Sequence, residues 1–295
     1  MDSQYTVNQH YIPQFILRNF ADRSNRIGIA DITKKPTAFF TNTPKSICHD
    51  KNLYESQNLD GTYFERNKVE NHLACIEEKL SEQFRIFPTI VQQKDRISDE
   101  NRNSIALYIA LQAARNPWVS NAIKSILLPY VKEEHKILFS NSCMLFNLLS
   151  VEKLYAYLEN NNLYMTDEEK EKMPNDTAMD GLLNDLIRNY FMFIIVAENG
   201  SMFYISDNMP LVCKYNDCKF IIPISPSLAV GACPANAATS SHKKGIIRLD
   251  KEQVGLVNSN IIKNAKRFVI YSPDNAEQAK HDILRYRLNT INYHL

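Results

Sequence analysis

Six side chains in this sequence are of types that carry acid–base, anion-binding or metal chemistry: His10, Arg18, Glu70, Glu77, Arg115 and Asp207. His10 and Arg18 lie in Asn8-Gln9-His10-Tyr11-Ile12-Pro13-Gln14-Phe15-Ile16-Leu17-Arg18-Asn19-Phe20, a run that mixes amides, a histidine and an arginine with large apolar residues. A polar group buried in such company costs about 1–3 kcal/mol unless it finds a partner. The segment therefore either anchors a polar network or lines a site. His10, with an imidazole that titrates near neutrality, is open to both readings: a satisfied core histidine, or an acid, base or ligand.

Glu70 and Glu77 stand two turns apart on one helical face. Their separation, about 10 Å along the axis at a rise of 1.5 Å per residue, is too long for one metal without a third element between them. They make either an exposed glutamate stripe or part of a polar seam. Gln112 and Arg115 are one turn apart, beside Ala110, Ala113 and Ala114, which let another backbone approach closely. Arg115 is placed to fork onto Glu70 or Glu77 as a structural clamp, or to hold a substrate anion. Asp207, in Ser206-Asp207-Asn208, either closes a turn through its own backbone or is presented at a sheet edge as a base or metal ligand.

Other patterns are weaker. Asp207 with Asp217-Cys218-Lys219 loosely matches the carboxylate–lysine arrangement of metal-dependent nucleases, where magnesium is the usual ion. Arg287 and His294 have the spacing of a metal-independent ribonuclease pair, at a chain end prone to fray. Cys213 and Cys218 lack the second pair that a closed zinc site needs. No glycine-rich phosphate loop, GxSxG elbow or HExxH helix occurs, and only 7 glycines are present.

The elements that position these residues read as α+β. Val69, Leu73, Ile76, Leu80, Phe84 and Phe87 form an apolar stripe, and a second helix starts behind a Ser98 cap and stops before Pro117. More helix is expected over 119–139, with a break at Pro129, and over 151–160, 178–190, 251–265 and 276–290. Asp167 to Lys172 reads as a solvated charge run. Arg26–Ile32 and Thr37–Phe40 suggest a hairpin, residues 41–62 a loop, and the short apolar runs after Phe191, turned at Asn199-Gly200, an antiparallel meander. The expectation is a single domain over 1–295 with two lobes. A mostly helical lobe (1–190) packs on a mainly antiparallel sheet formed largely by residues 190–272, in a lobe (191–295) with closing helices.

Composition narrows the classes. The chain of 295 residues is 44% hydrophobic and 23% charged, ordinary for a globular protein, and its net charge of +1 supplies no global pull toward nucleic acid or anionic membrane. The longest apolar run, Phe191 to Ala197, is far short of the roughly 20 residues a membrane helix needs. Met1-Asp2-Ser3-Gln4 lacks a signal-peptide pattern, and the six cysteines are scattered, so a reducing, cytoplasmic setting is expected.

Four separated motifs agree: His10 to Ala21; Asn52-Leu53-Tyr54; Val69 to Glu77; and Ser206-Asp207-Asn208-Met209-Pro210 followed by Ile222-Pro223-Ile224-Ser225-Pro226. Together they resemble a bacterial family of domains of unknown function with an HYVPQFLLRNFA-type opening and a late SDNP element, over about residues 9 to 272. Here Met209 separates Asn208 from Pro210, where the family tends to place proline directly after asparagine. Two functions are carried forward. One is an intracellular hydrolase acting on nucleic acid or nucleotides, helped by a divalent metal such as magnesium, with the six residues sharing a cleft; a role in bacterial defence or as a toxin is an expectation by association alone. The other is a non-catalytic binding or regulatory module in which the same residues form a structural network.

Overall fold

The computed structural model describes residues 5–93, 96–209, 211–212 and 220–291. The structure is about 51% helical and 18% strand, an α+β composition. It divides into two compact units: Met1–Tyr11, His49–Lys79 and Ala110–Asp185 in one, and Ile12–Cys48, Leu80–Ile109 and Leu186–Leu295 in the other.

The first unit is mainly helical. Its helices include Pro117–Leu127, Lys136–Asn141, Cys143–Leu148 and Val151–Asn160, together with parts of Lys68–Arg85 and Asp99–Arg115. Arg115 ends its helix because Asn116 is extended; the Asn116 side chain then accepts from the N–H groups of Trp118 and Val119, capping a new helix with Pro117 in its first turn. The stretch 41–62, expected to be loop, contributes two small ribbons. Asn8–His10 pairs antiparallel with His49–Lys51, and Ser56–Gln57 pairs with Tyr63–Phe64. The charge run at 167–172 is a short helix, Asp167–Glu171, because Thr166 and Glu169 close a capping box at its start.

The second unit holds two sheets where one meander was expected. The five-stranded sheet has the order Ile246–Leu249, Tyr190–Ala197, Leu228–Pro234, Phe220–Pro223, Leu211–Val212. The four-stranded one runs Ala38–Asn42, Ile27–Asp31, Phe268–Tyr271, Ile205–Ser206. The physical reason lies in the Tyr190–Ala197 run, whose residues Met192 to Ile195 are buried without alternation. A strand apolar on both faces belongs inside a sheet. It takes Leu228–Pro234 antiparallel on one side and Ile246–Leu249 parallel on the other. The Asn199-Gly200 turn does form, with positive φ at both residues, but the chain beyond it goes to the other sheet, where Ile205–Ser206 pairs with Phe268–Tyr271. The N-terminal hairpin Ile27–Asp31/Ala38–Asn42 joins that same sheet.

One buried cluster links both sheets to the helices Lys251–Asn264 and Ala276–Ile291. Each sheet also lays an aromatic ring across a glycine on the neighbouring strand. A Cβ at Gly28 would stand 2.2 Å from the Tyr271 ring, and one at Gly231 would stand 2.6 Å from Phe193. Only glycine permits either approach.

Candidate functional site

Four of the six candidate residues lie in the first unit, and three of those share one hydrogen-bonded knot. The Asn8–His10 strand buries both Gln9 and His10. The Gln9 amide donates to Glu55 Oε1 at 2.6 Å and accepts from the Tyr54 backbone N–H at 2.7 Å. Tyr54, fully buried, donates its hydroxyl to the His10 carbonyl at 2.7 Å. Arg115 closes the knot: Nε donates to the Tyr54 hydroxyl at 3.1 Å, Nη1 to Glu77 Oε1 at 2.5 Å, and Nη2 to the His10 carbonyl. One turn earlier, Gln112 donates to the Tyr11 carbonyl at 2.7 Å, leaving its own Oε1 buried without a partner.

The electrostatics follow from burial. Desolvation pushes the Tyr54 phenol up to about 12, against the pull of the adjacent Arg115, so it stays neutral and keeps its proton to donate. Burial alone would depress Arg115, but the Glu77 carboxylate and the hydrogen bonds Arg115 donates to Glu77 and Tyr54 outweigh it, and the guanidinium is held charged. Glu55 takes the Asn67 backbone N–H at 3.1 Å, tying the start of the Lys68–Arg85 helix to the knot. The His10 and His49 rings meet edge to face at 5.1 Å, and His49 Nδ1 is buried with no hydrogen-bond partner.

Glu70 stands apart chemically. It is half-buried and accepts no hydrogen bond among the described residues, and desolvation, with Glu77 and Glu55 adding to it against Arg115, raises its carboxyl to about 7. The unfolded chain ionises near 4.5, so the folded state binds the extra proton between that pH and 7. Stability is therefore lost as pH rises through this window. We expect Glu70→Gln to be more stable than the native chain by about 1–2 kcal/mol at pH 8, discounted for the water still touching the carboxylate. The advantage should shrink toward zero below about pH 4.5, where both states protonate Glu70. Urea titrations at the two pH values measure the gap, and an equal gap at both would remove the protonation argument.

Arg18 and Asp207 belong to the second unit. Arg18 is exposed and donates to Gln14 Oε1 one turn away at 3.0 Å. Asp207 is 1% exposed and takes the backbone N–H of Lys266 at 2.9 Å on Oδ1 and that of Arg267 at 2.8 Å on Oδ2. Burial raises its carboxyl despite those bonds. Arg287 donates to the Ile32 carbonyl, while His294, Pro210, Cys213, Asp217, Cys218 and Lys219 lie outside the described residues. Among the described residues no group of three or more His, Cys, Asp or Glu side chains is arranged to hold a metal ion.

The later half of the opening motif works in this second unit. The Asn19 side chain donates to the Ile224 carbonyl at 2.8 Å, joining the motif to Ile222-Pro223-Ile224-Ser225-Pro226. Phe15 and Asn19 there line a cleft of about 580 Å³ with Arg85, Ser225 and Ser227. The motif, the proline-serine turn and the Ser206-Asp207 turn are thus all placed by specific bonds. A family model described as a protein of unknown function, DUF4238, matches residues 8–275. The chain belongs to the DUF4238 family. No curated protein and no solved structure matches it. In this DUF4238 chain the knot members Gln9, Tyr54 and Glu55 are not among the six residues whose types and spacing suggest chemistry. Gln9 stands beside His10 in the opening motif and Tyr54 closes the Asn-Leu-Tyr motif, the signals the sequence offers for them. No helix among the described residues is long and apolar enough to cross a membrane.

Proposed function

We propose that this DUF4238 chain is a non-catalytic binding or regulatory module in which His10, Glu77 and Arg115 form a structural knot. One observation carries the reading: Arg115, with its side chain 2% exposed, directs its donors onto Glu77, Tyr54 and the His10 carbonyl, all of them protein groups. A guanidinium meant for a substrate anion keeps its nitrogens facing open space; each of the three nitrogens here donates within the fold. The test is turnover. Purified chain incubated with single-stranded RNA, single-stranded DNA and nucleotides, with and without magnesium or manganese, should leave every substrate intact.

A second reading has its own support. Glu70, at about 7 and with no hydrogen bond among the described residues, is tuned as an acid–base group needs to be. In an intracellular hydrolase of nucleic acid or nucleotides, in defence or as a toxin, Glu70 would move the proton and a divalent ion such as magnesium would assist. Turnover abolished by Glu70→Gln in a folded protein would establish that reading and sink the first.

A further inference from the structure

Outside the knot, the first unit contains a hollow of about 580 Å³, within the range of small-molecule sites (about 300–1,000 Å³). Its apolar lining comes from separated elements: Phe139 of the Lys136–Asn141 helix, Leu158 of Val151–Asn160, and Met165 and Met173 on either side of Asp167–Glu171. Phe139 and Leu158 are each 3% exposed, whereas the two methionines are half-buried at the mouth, where their flexible thioethers can adapt to different shapes.

The polar groups around this hollow separate into satisfied and open ones. Lys132 pairs with Glu169 at 2.7 Å and Lys172 with Glu168 at 2.8 Å, and Glu169 also accepts from the Thr166 backbone N–H at 2.8 Å. These charges cancel in pairs. An anionic ligand would meet Glu168 and Glu169, and a cationic one Lys132 and Lys172. His135 differs: it is 9% exposed and lines the hollow, and its imidazole makes no hydrogen bond among the described residues, with Nε2 3.6 Å from the Glu134 carboxylate. Its imidazole can donate or accept.

We propose that this hollow binds an uncharged, largely apolar small molecule bearing one hydrogen-bonding head group, such as an aliphatic alcohol, with the head on His135 and the body against Phe139, Leu158 and the two methionines. The inference rests on the reading of the chain as a binding module but uses a different site. The probe is N-phenyl-1-naphthylamine, uncharged and fluorescent in apolar surroundings, titrated into the full chain with 1-decanol as competitor. Saturable one-site binding reversed by decanol is expected. Met173→Trp, which fills the mouth, should weaken the probe at least tenfold, with Met165→Phe as the second variant should the first fail to fold. Met202→Trp, in the second unit, should leave it unchanged. His135→Leu should weaken decanol about three- to tenfold, the worth of one hydrogen bond. The anionic relative 8-anilinonaphthalene-1-sulfonate should bind at least tenfold more weakly than the neutral probe. Non-saturable binding, equal losses at Met173 and Met202, or tighter binding of the sulfonate each overturn the proposal. None of these outcomes bears on nucleic-acid turnover, so this site and the non-catalytic reading fail separately.

Discussion

Replacing Glu77 by leucine should destabilise the protein by about 3–5 kcal/mol, more than removing its partner Arg115. The asymmetry follows from exposure: the Arg115 side chain is 2% accessible and the Glu77 side chain 23%. Without Glu77 the guanidinium is left charged with no solvent to receive it. Without Arg115 the carboxylate still reaches water, and the Tyr54 hydroxyl keeps its bond to the His10 carbonyl. Arg115→Met, which preserves most of the volume, should therefore cost about 2–3 kcal/mol, chiefly through hydrogen bonds lost in a buried setting. The double variant should recover part of the loss, because an apolar pair replaces both charges and a coupling of about 0.5–3 kcal/mol appears between neighbours of this kind. Urea unfolding of the four proteins measures all the terms. Strictly additive losses would show that the pair does not act as a unit and would remove the main support for a structural knot.

The same residues show how far a sequence can be read. Helices were legible wherever a 3.6-residue stripe met a clear stop: Ser98 and Pro117 bracket Asp99–Arg115, and Val69 to Phe84 mark the buried face of Lys68–Arg85. A clamp between Arg115 and Glu77 was among the open alternatives, since a buried arginine beside small residues calls for a carboxylate. The roles of Tyr54 and Gln9 are not legible in the same way, because they depend on a ribbon, Asn8–His10 with His49–Lys51, that brings together segments some forty residues apart. Sheet topology was hidden for a similar reason. Local alternation and an Asn-Gly turn describe a strand and its bend, but they do not say which sheet the next strand joins. Ile205–Ser206 is drawn to Phe268–Tyr271 by long-range pairing that no local pattern encodes. The opening motif is continuous in the sequence and suggests one unit of chemistry. It is divided instead: residues through Tyr11 serve the knot, while Ile12 onward belongs to the other unit, where Asn19 holds Ile224.

Asp207→Ala should be the second severe substitution, at about 2–5 kcal/mol. The carboxylate satisfies the backbone N–H groups of Lys266 and Arg267, where the Lys251–Asn264 helix gives way to the Phe268–Tyr271 strand. Each buried donor left unpaired costs about 1–3 kcal/mol. Asp207 also donates its own backbone N–H to the Phe268 carbonyl at 3.1 Å, so the side chain extends the pairing of Ile205–Ser206 with that strand by one more grip. Asparagine is the informative comparison. It keeps one oxygen for one N–H but turns an amide donor toward the other, so Asp207→Asn should fall between the native chain and Asp207→Ala. An aspartate kept for proton transfer or metal binding would behave otherwise: the alanine variant would fold as well as the native chain and lose only activity. Thermal unfolding of the two variants separates the cases, since a melting temperature unmoved by Asp207→Ala contradicts the assignment of this carboxylate to the backbone of residues 266 and 267. A drop graded from asparagine to alanine would explain the Ser-Asp-Asn turn by the strand it fastens, with no substrate needed.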